Sequence, residues 1–239
     1  MICRILDSEL LVFCQTDHAH LSGELLSLWR DPELLEHPRR EDLLFAIRRH
    51  DNGWQEADAA PLLHPAGDRP HDFMSVPASV RRAIWERGST RFATERPYVA
   101  LLITEHARHL LRPDDDATEP PSESESTFLE TLDERRASLL DEVGLDEAEL
   151  RRDYCWLRRA DFLSLVACNG WEDPFEHDGV RGRLEGDRLR LDPFSLAGPT
   201  TFGVAYRRLE RRPFAGDGDL SLALAACPWE RWPLCVQPV

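Results

Sequence analysis

The 239-residue chain contains no lysine, and all 29 of its basic residues are arginine. A Walker-type phosphate loop, a Schiff-base enzyme and a Ser–Lys dyad each require an amine side chain, so all three are excluded. Cysteine is sparse and scattered (Cys3, Cys14, Cys155, Cys168, Cys227, Cys235), with no CxxC pair. That usage excludes a zinc knuckle or a disulfide framework and predicts reduced, mostly buried thiols of a cytoplasmic protein. Long apolar runs are missing too. The opening MICRILDSELLVFCQ carries Arg4 and Asp7, so neither a secretory signal nor a membrane anchor is expected. No GxSxG occurs, which leaves Ser22 and Ser164 without a nucleophile elbow, and Cys168 falls on an apolar stripe where a thiol is inert. Positive charge is short: 29 arginines face 44 acidic residues, for a net charge of −15. Such a field repels a phosphate backbone and argues against nucleic acid as a partner. A small anionic molecule stays compatible where a metal or local arginines offset the charge.

What is present reads as one domain over residues 1–239 with a proper core, at 42% hydrophobic residues. ICRIL and LLVFC predict two short strands joined by a turn at DSE. Helices are predicted from Thr16, as N-cap, to Trp29; from Arg40 to His50–Trp54; over Ala78–Arg87 and Tyr98–Leu111; and over Phe128–Val143 and Asp146–Asn169. EADAAPLLHPAGDRPHDF reads as an ordered Pro-rich loop, and RPDDDATEPPSESES, acidic and without periodicity, as a mobile surface loop. From Gly179 the texture changes to strands and turns: GRLEGDRLRLDPFSL, TFGVAYRRLE and DLSLALAACPW. The expected fold class is mainly α: a helical bundle over about 15–172, with a small antiparallel sheet made by the N-terminal hairpin (1–14) and the C-terminal strands (179–239).

Helical phase singles out a few polar residues. Spacings of three and four align His18 with Leu21, Leu25 and Leu28, and put His20 on another side. Leu43, Ile47, His50 and Trp54 share a face, and Leu44, Ile47 and Asp51 its flank, so the His50–Asp51 pair straddles the core edge, about 100° apart. His106 joins Val99, Leu102, Ile103 and Leu110; Asp161 sits between Leu157 and Leu165. A buried carboxylate without a partner costs several kcal/mol, on the order of 3 or more, so something should meet Asp161. Taken singly, each residue has an ordinary explanation. A lone inward histidine is usually a hydrogen-bonded core residue, Asp161 could pair with Arg158 or Arg159, and HD recurs at His71–Asp72 and His177–Asp178. Together, His18, His50, Asp51, His106 and Asp161 form a donor set suited to a divalent metal such as Fe, Mn, Zn, Co or Ni, in a site of the kind that helical bundles build. Asp58, seven residues after Asp51, is a candidate outer acceptor, with a loop carboxylate as the plainer reading. Arg69 is a candidate anion holder or, more simply, a turn salt bridge.

QTDHAHLSGEL, AIRRHDNGW followed by DAAPLLHPAGDRPHDF, LLITEH and DFLSLVAC resemble the bacterial family known only as domain of unknown function 3891, over nearly the whole chain. More distantly, the order H, HD, H, D is similar to the HD superfamily of helical metal-dependent phosphohydrolases. That resemblance implies an HD-like bundle and maps the ligands to His18, His50, Asp51 and Asp161, with His106 as a further ligand or a phosphate-binding histidine. The long loop after Trp54 departs from a plain HD core. The reading implied is a metal-dependent hydrolase of a small phosphorylated compound, with metal-activated water, Asp51 on the base side and His106 near the phosphoryl group or leaving oxygen. The alternatives are a di-iron oxygenase of the inositol-oxygenase type and a non-catalytic sensor that holds a metal or ligand.

Overall fold

Alternation of side chains sends the N-terminal hairpin to two different cores. Strands β1 (Ile2–Ile5) and β2 (Glu9–Phe13) pair antiparallel, Ile2 opposite Phe13. Ile2, Leu11 and Phe13 enter the main core, while Cys3, Leu10 and Val12 face the other way into a smaller one. The computed structural model describes residues 1–112 and 122–239.

The helical half comprises α1 (Gln15–Ser27), α2 (Pro32–Leu35), α3 (Arg40–Arg49), a 3-10 turn at Asn52–Trp54, α4 (Gln55–Ala59), α5 (Ala78–Thr90), α6 (Pro97–Leu111), α7 (Glu123–Val143) and α8 (Glu147–Asn169). The strands β3 (Phe175–His177), β4 (Val180–Glu185), β5 (Arg188–Asp192) and β6 (Thr200–Glu210) follow, then α9 (Asp217–Ala226) and β7 (Trp229–Pro238). Both α7 and α8 start with reciprocal capping boxes, Ser122 with Glu125 and Asp146 with Glu149, and each ends on a left-handed glycine, Gly144 and Gly170.

The expectation of a helical bundle with a small antiparallel sheet is overturned. The strands form one seven-stranded mixed sheet, ordered β1-β2-β6-β7-β5-β4-β3, which is a large part of the fold. It is not wholly antiparallel, because β7 runs parallel to β5, with Arg188 opposite Cys235, while pairing antiparallel with β6. The main core lies between sheet and helices: Phe13, Val204, Leu234 and Val236 meet Leu21, Leu25, Ile47 and Leu157. The smaller core holds α9 against the opposite face of β1 and β2 through Leu220 and Leu224.

Four local expectations also change. DLSLALAACPW alternates like a strand, yet Leu and Ala favour helix and the segment is α9, ending at Ala226. Thr16 is not the N-cap of α1. The helix begins at Gln15 after Cys14, which supplies no side-chain cap, because Asp58 Oδ2 accepts the Gln15 N–H at 2.7 Å from another part of the chain. Of the acidic segment read as a mobile loop, 113–121 lie outside the described residues, while Ser122–Ser126 cap and open α7. The thiols are free but not mostly buried: only Cys3 and Cys168 are fully so.

Candidate metal centre

Four segments deliver five polar side chains to one spot. His18 lies on α1, His50 caps the C-terminus of α3, Asp51 bridges α3 and the 3-10 turn, His106 lies on α6 and Asp161 on α8. All five are buried. The rings of His18 and His50 stand 5.1 Å apart edge to face, and those of His50 and His106 5.0 Å. One ligand atom each from His18, His50 and Asp51 falls within 4.8 Å of the others, and the same holds for His50, His106 and Asp161. Around an ion with bonds of about 2.1 Å, neighbouring donors sit about 3 Å apart and opposite ones about 4.2 Å, so the spacing fits.

The histidines share a device. Each ring is anchored at Nδ1: His18 to Ser164 Oγ at 2.8 Å, His50 to the Ile47 carbonyl at 2.8 Å, and His106 to the Tyr154 hydroxyl at 3.2 Å. Each Nε2 is thereby turned towards the carboxylates. His18 Nε2 reaches Asp51 Oδ2 at 2.7 Å, His50 Nε2 lies 3.2 Å from Asp161 Oδ1, and His106 Nε2 3.9 Å from Asp161 Oδ2. Fixing one nitrogen through an outer partner is how metal-binding histidines are oriented. Ser164 is itself held, accepting from Ser22 at 2.8 Å and donating to the Asp161 carbonyl.

Electrostatics sort the group into charged and neutral members. Burial opposes charge on His50, but Asp51 and Asp161 outweigh it and raise His50 to about 9. Burial likewise opposes ionisation of Asp161, and His50 overcomes it, holding the carboxyl well below its usual range; Asp51 is lowered for the same reason. Burial wins at His106, pushed down to about 4 against the pull of Asp161, so it is neutral at pH 7. Among the described residues two buried atoms of the cluster have no assigned hydrogen-bond partner, His50 Nε2 and Asp51 Oδ1, although His50 Nε2 lies 3.2 Å from Asp161 Oδ1 as an ion pair. A second buried His–Asp contact elsewhere contrasts with this. His37 Nε2 donates to Asp153 Oδ1 at 2.9 Å, Tyr98 donates to Oδ2, and His37 Nδ1 accepts from Arg39 N–H, so that network is closed.

The cluster forms the floor of a cavity of about 220 Å³, lined by His18, Asp51, His106 and Asp161 together with Gln15, Trp54, Phe73, Arg81, Trp85, Leu110 and Leu165. Two candidates lie apart from it. Asp58, on α4, binds Gln15 N–H and lies 2.8 Å from the Met1 nitrogen, so it fixes the start of α1 and not a ligand side chain. Arg69 pairs with Asp68 at 3.0 Å. Arg158 and Arg159, possible partners for Asp161, instead both bind Asp178. His20 is exposed, 3.7 Å from Glu24. Sequence reading missed Gln15, Arg81 and the anchors Ser164 and Tyr154. Ser164 and Tyr154 do carry a signal: they stand three residues after and seven before Asp161, on the same helical face.

Residues 1–210 match the family model described as a protein of unknown function, DUF3891. The chain belongs to the DUF3891 family. No curated protein and no solved structure matches it. The DUF3891 match ends with the last residue of β6, contains all five donors and stops before α9 and β7. No helix among the described residues is long and apolar enough to cross a membrane.

Proposed function

We propose that the protein is a metal-dependent hydrolase of a small phosphorylated compound, with one divalent ion held by His18, His50, Asp51, His106 and Asp161. The observation that carries this reading is the convergence of buried donors on one spot, among them two atoms with no assigned hydrogen bond, His50 Nε2 and Asp51 Oδ1. Unpaired buried polar atoms cost about 1–3 kcal/mol each, and a cation between them removes that cost. The donor order, a histidine, an adjacent His–Asp pair and a later aspartate, is that of the HD-superfamily phosphohydrolases. The support here is this donor set and not the fold.

A bound divalent ion supplies Lewis acidity, lowering the pKa of a coordinated water and drawing charge from a phosphoryl oxygen. Asp51 would offer Oδ1 to the ion, and its Oδ2, beside His18, is the oxygen suited to hold the proton of the attacking water. His106, kept neutral by burial, fits a ligand better than an acid for the leaving oxygen. The side chains of Trp54, Phe73, Trp85 and Leu165 limit water in the cavity. One ion is favoured over the two of an oxygenase. His50 belongs to both three-residue donor groups, and its Nδ1 is committed to Ile47, leaving one nitrogen to offer.

The test is elemental analysis of the purified protein, then a phosphoester screen with added Mn²⁺ or Ni²⁺. About one ion per chain and turnover of small monoesters are expected, with both lost in Asp51→Ala. Metal and rate retained in Asp51→Ala would sink the mechanism. Tight metal without turnover would leave a metal-holding sensor, and two irons with visible absorption an oxygenase.

A further inference from the structure

Above the donor cluster the cavity carries two polar side chains that the metal reading does not use. Arg81, on α5, lines it, and its Nε is buried with no hydrogen-bond partner among the described residues. Its ion pair with Glu125 is 3.6 Å long, and Glu125 already serves the Ser122 capping box. Among the described residues Arg81 is the one cation of the lining outside the histidines, and it shares that lining with Asp51 and Asp161. Gln15, at the start of α1, also lines the cavity and is 3% exposed; its backbone N–H is taken by Asp58, and its Oε1 is buried with no hydrogen-bond partner among the described residues. A buried guanidinium nitrogen and a buried amide oxygen, both unpaired beside the same space, call for a ligand with an anionic oxygen and a hydroxyl.

The remaining walls are Trp54, Phe73, Trp85, Leu110 and Leu165. At about 220 Å³ the space is roughly half again the ~150 Å³ cavity that takes up a benzene molecule. That is room for a ring or a branched alkyl group beside a phosphoryl head.

We propose that Arg81 and Gln15 are the residues that bind the substrate, Arg81 by an anionic phosphoryl oxygen and Gln15 by a hydroxyl, and that the substrate is a compact aryl or branched-alkyl phosphate monoester whose carbon part packs within the tryptophan-lined walls. The phosphorus chemistry rests on the hydrolase reading; the binding claim is measurable without turnover. Arg81 fills the anion-holding role for which Arg69, paired locally with Asp68, is not placed.

The test is calorimetric binding of phenylphosphonate, whose P–C bond resists hydrolysis, and of inorganic phosphate, to the Mn²⁺-supplemented protein. Phenylphosphonate should bind about tenfold more tightly than phosphate, because the ring leaves water. Arg81→Met should weaken it by about ten- to hundredfold, with metal content and thermal midpoint preserved, and Arg81→Lys should recover part of the loss; Gln15→Leu should leave it unchanged and weaken (2-hydroxyphenyl)phosphonate, which carries a hydroxyl, by about fivefold. Unchanged affinity in Arg81→Met, no preference for the phenyl compound, or no binding by the wild type would each overturn the proposal. Arg81-dependent binding with no phosphoester turned over would uphold the binding roles of these residues while rejecting hydrolysis.

Discussion

Ser164 touches no substrate space, yet the orientation of His18 rests on it. It accepts from His18 Nδ1 and is braced by Ser22 and by its own bond to the Asp161 carbonyl. Loss of such an outer partner typically weakens metal affinity by about 10–100-fold. Ser164→Ala should therefore lower metal affinity in that range by competition with a chelator, with a stability loss of only about 1 kcal/mol. Equal affinity would show that His18 needs no anchor. At this scale helical phase was informative. A stripe of Leu21, Leu25 and His18, and another of Leu157, Asp161 and Leu165, point inward for elementary geometric reasons, and the structure brings these polar residues together. Phase could not find Arg81. A half-buried arginine on a helix looks like any surface cation until the cavity beside it is known.

The turn carrying Asp51 is fastened by a helix distant in sequence. Asn52 Nδ2 donates to the Arg49 and Gly88 carbonyls, Arg87 donates to Gly53 O, and Arg91 to Asn52 O, so α5 grips the 3-10 turn directly. The approach is close enough that a Cβ on Gly53 would lie 2.0 Å from the Ile84 carbonyl and 2.9 Å from Gly88 N. Gly53→Ala must push α5 away. It should cost about 1–3 kcal/mol as overpacking and lower metal content with it, read by denaturant titration and elemental analysis. Wild-type stability in that variant would mean that the two backbones separate freely. Elements differed in legibility for physical reasons. α6 and α8 carry long apolar stripes and clear ends, and their bounds were read nearly to the residue. α9 is short, and its alternating Leu and small residues satisfy a two-residue period as well as a helical one. α1 takes its N-terminal partner from Asp58, a contact 43 residues away that no local rule contains.

Across the whole molecule the main surprise is the sheet. A strand reads clearly when one face is wet, but β7, WERWPLCVQP, has two prolines and no clean alternation, and its place between β5 and β6 is a long-range fact. Removing 211–239, which lie beyond the family match, deletes β7 and α9 and leaves β5 and β6 without a common neighbour. It also strips Leu234 and Val236 from the main core and Leu220 and Leu224 from the smaller one. The shortened chain should lose cooperative thermal unfolding by circular dichroism. A sharp transition at the full-length midpoint would show that the sheet closes without its middle strand.

That placement bears on how a nascent chain matures. Every donor of the centre is translated by Asp161, whereas the strand that joins the two halves of the sheet is made after both of its neighbours. Until it emerges, β5 and β6 each expose an unpaired backbone edge, a template for adhesion between unfinished copies. Ribosomes stalled before that strand has emerged should thus carry sticky, chaperone-dependent intermediates, while chains released with the strand in place do not.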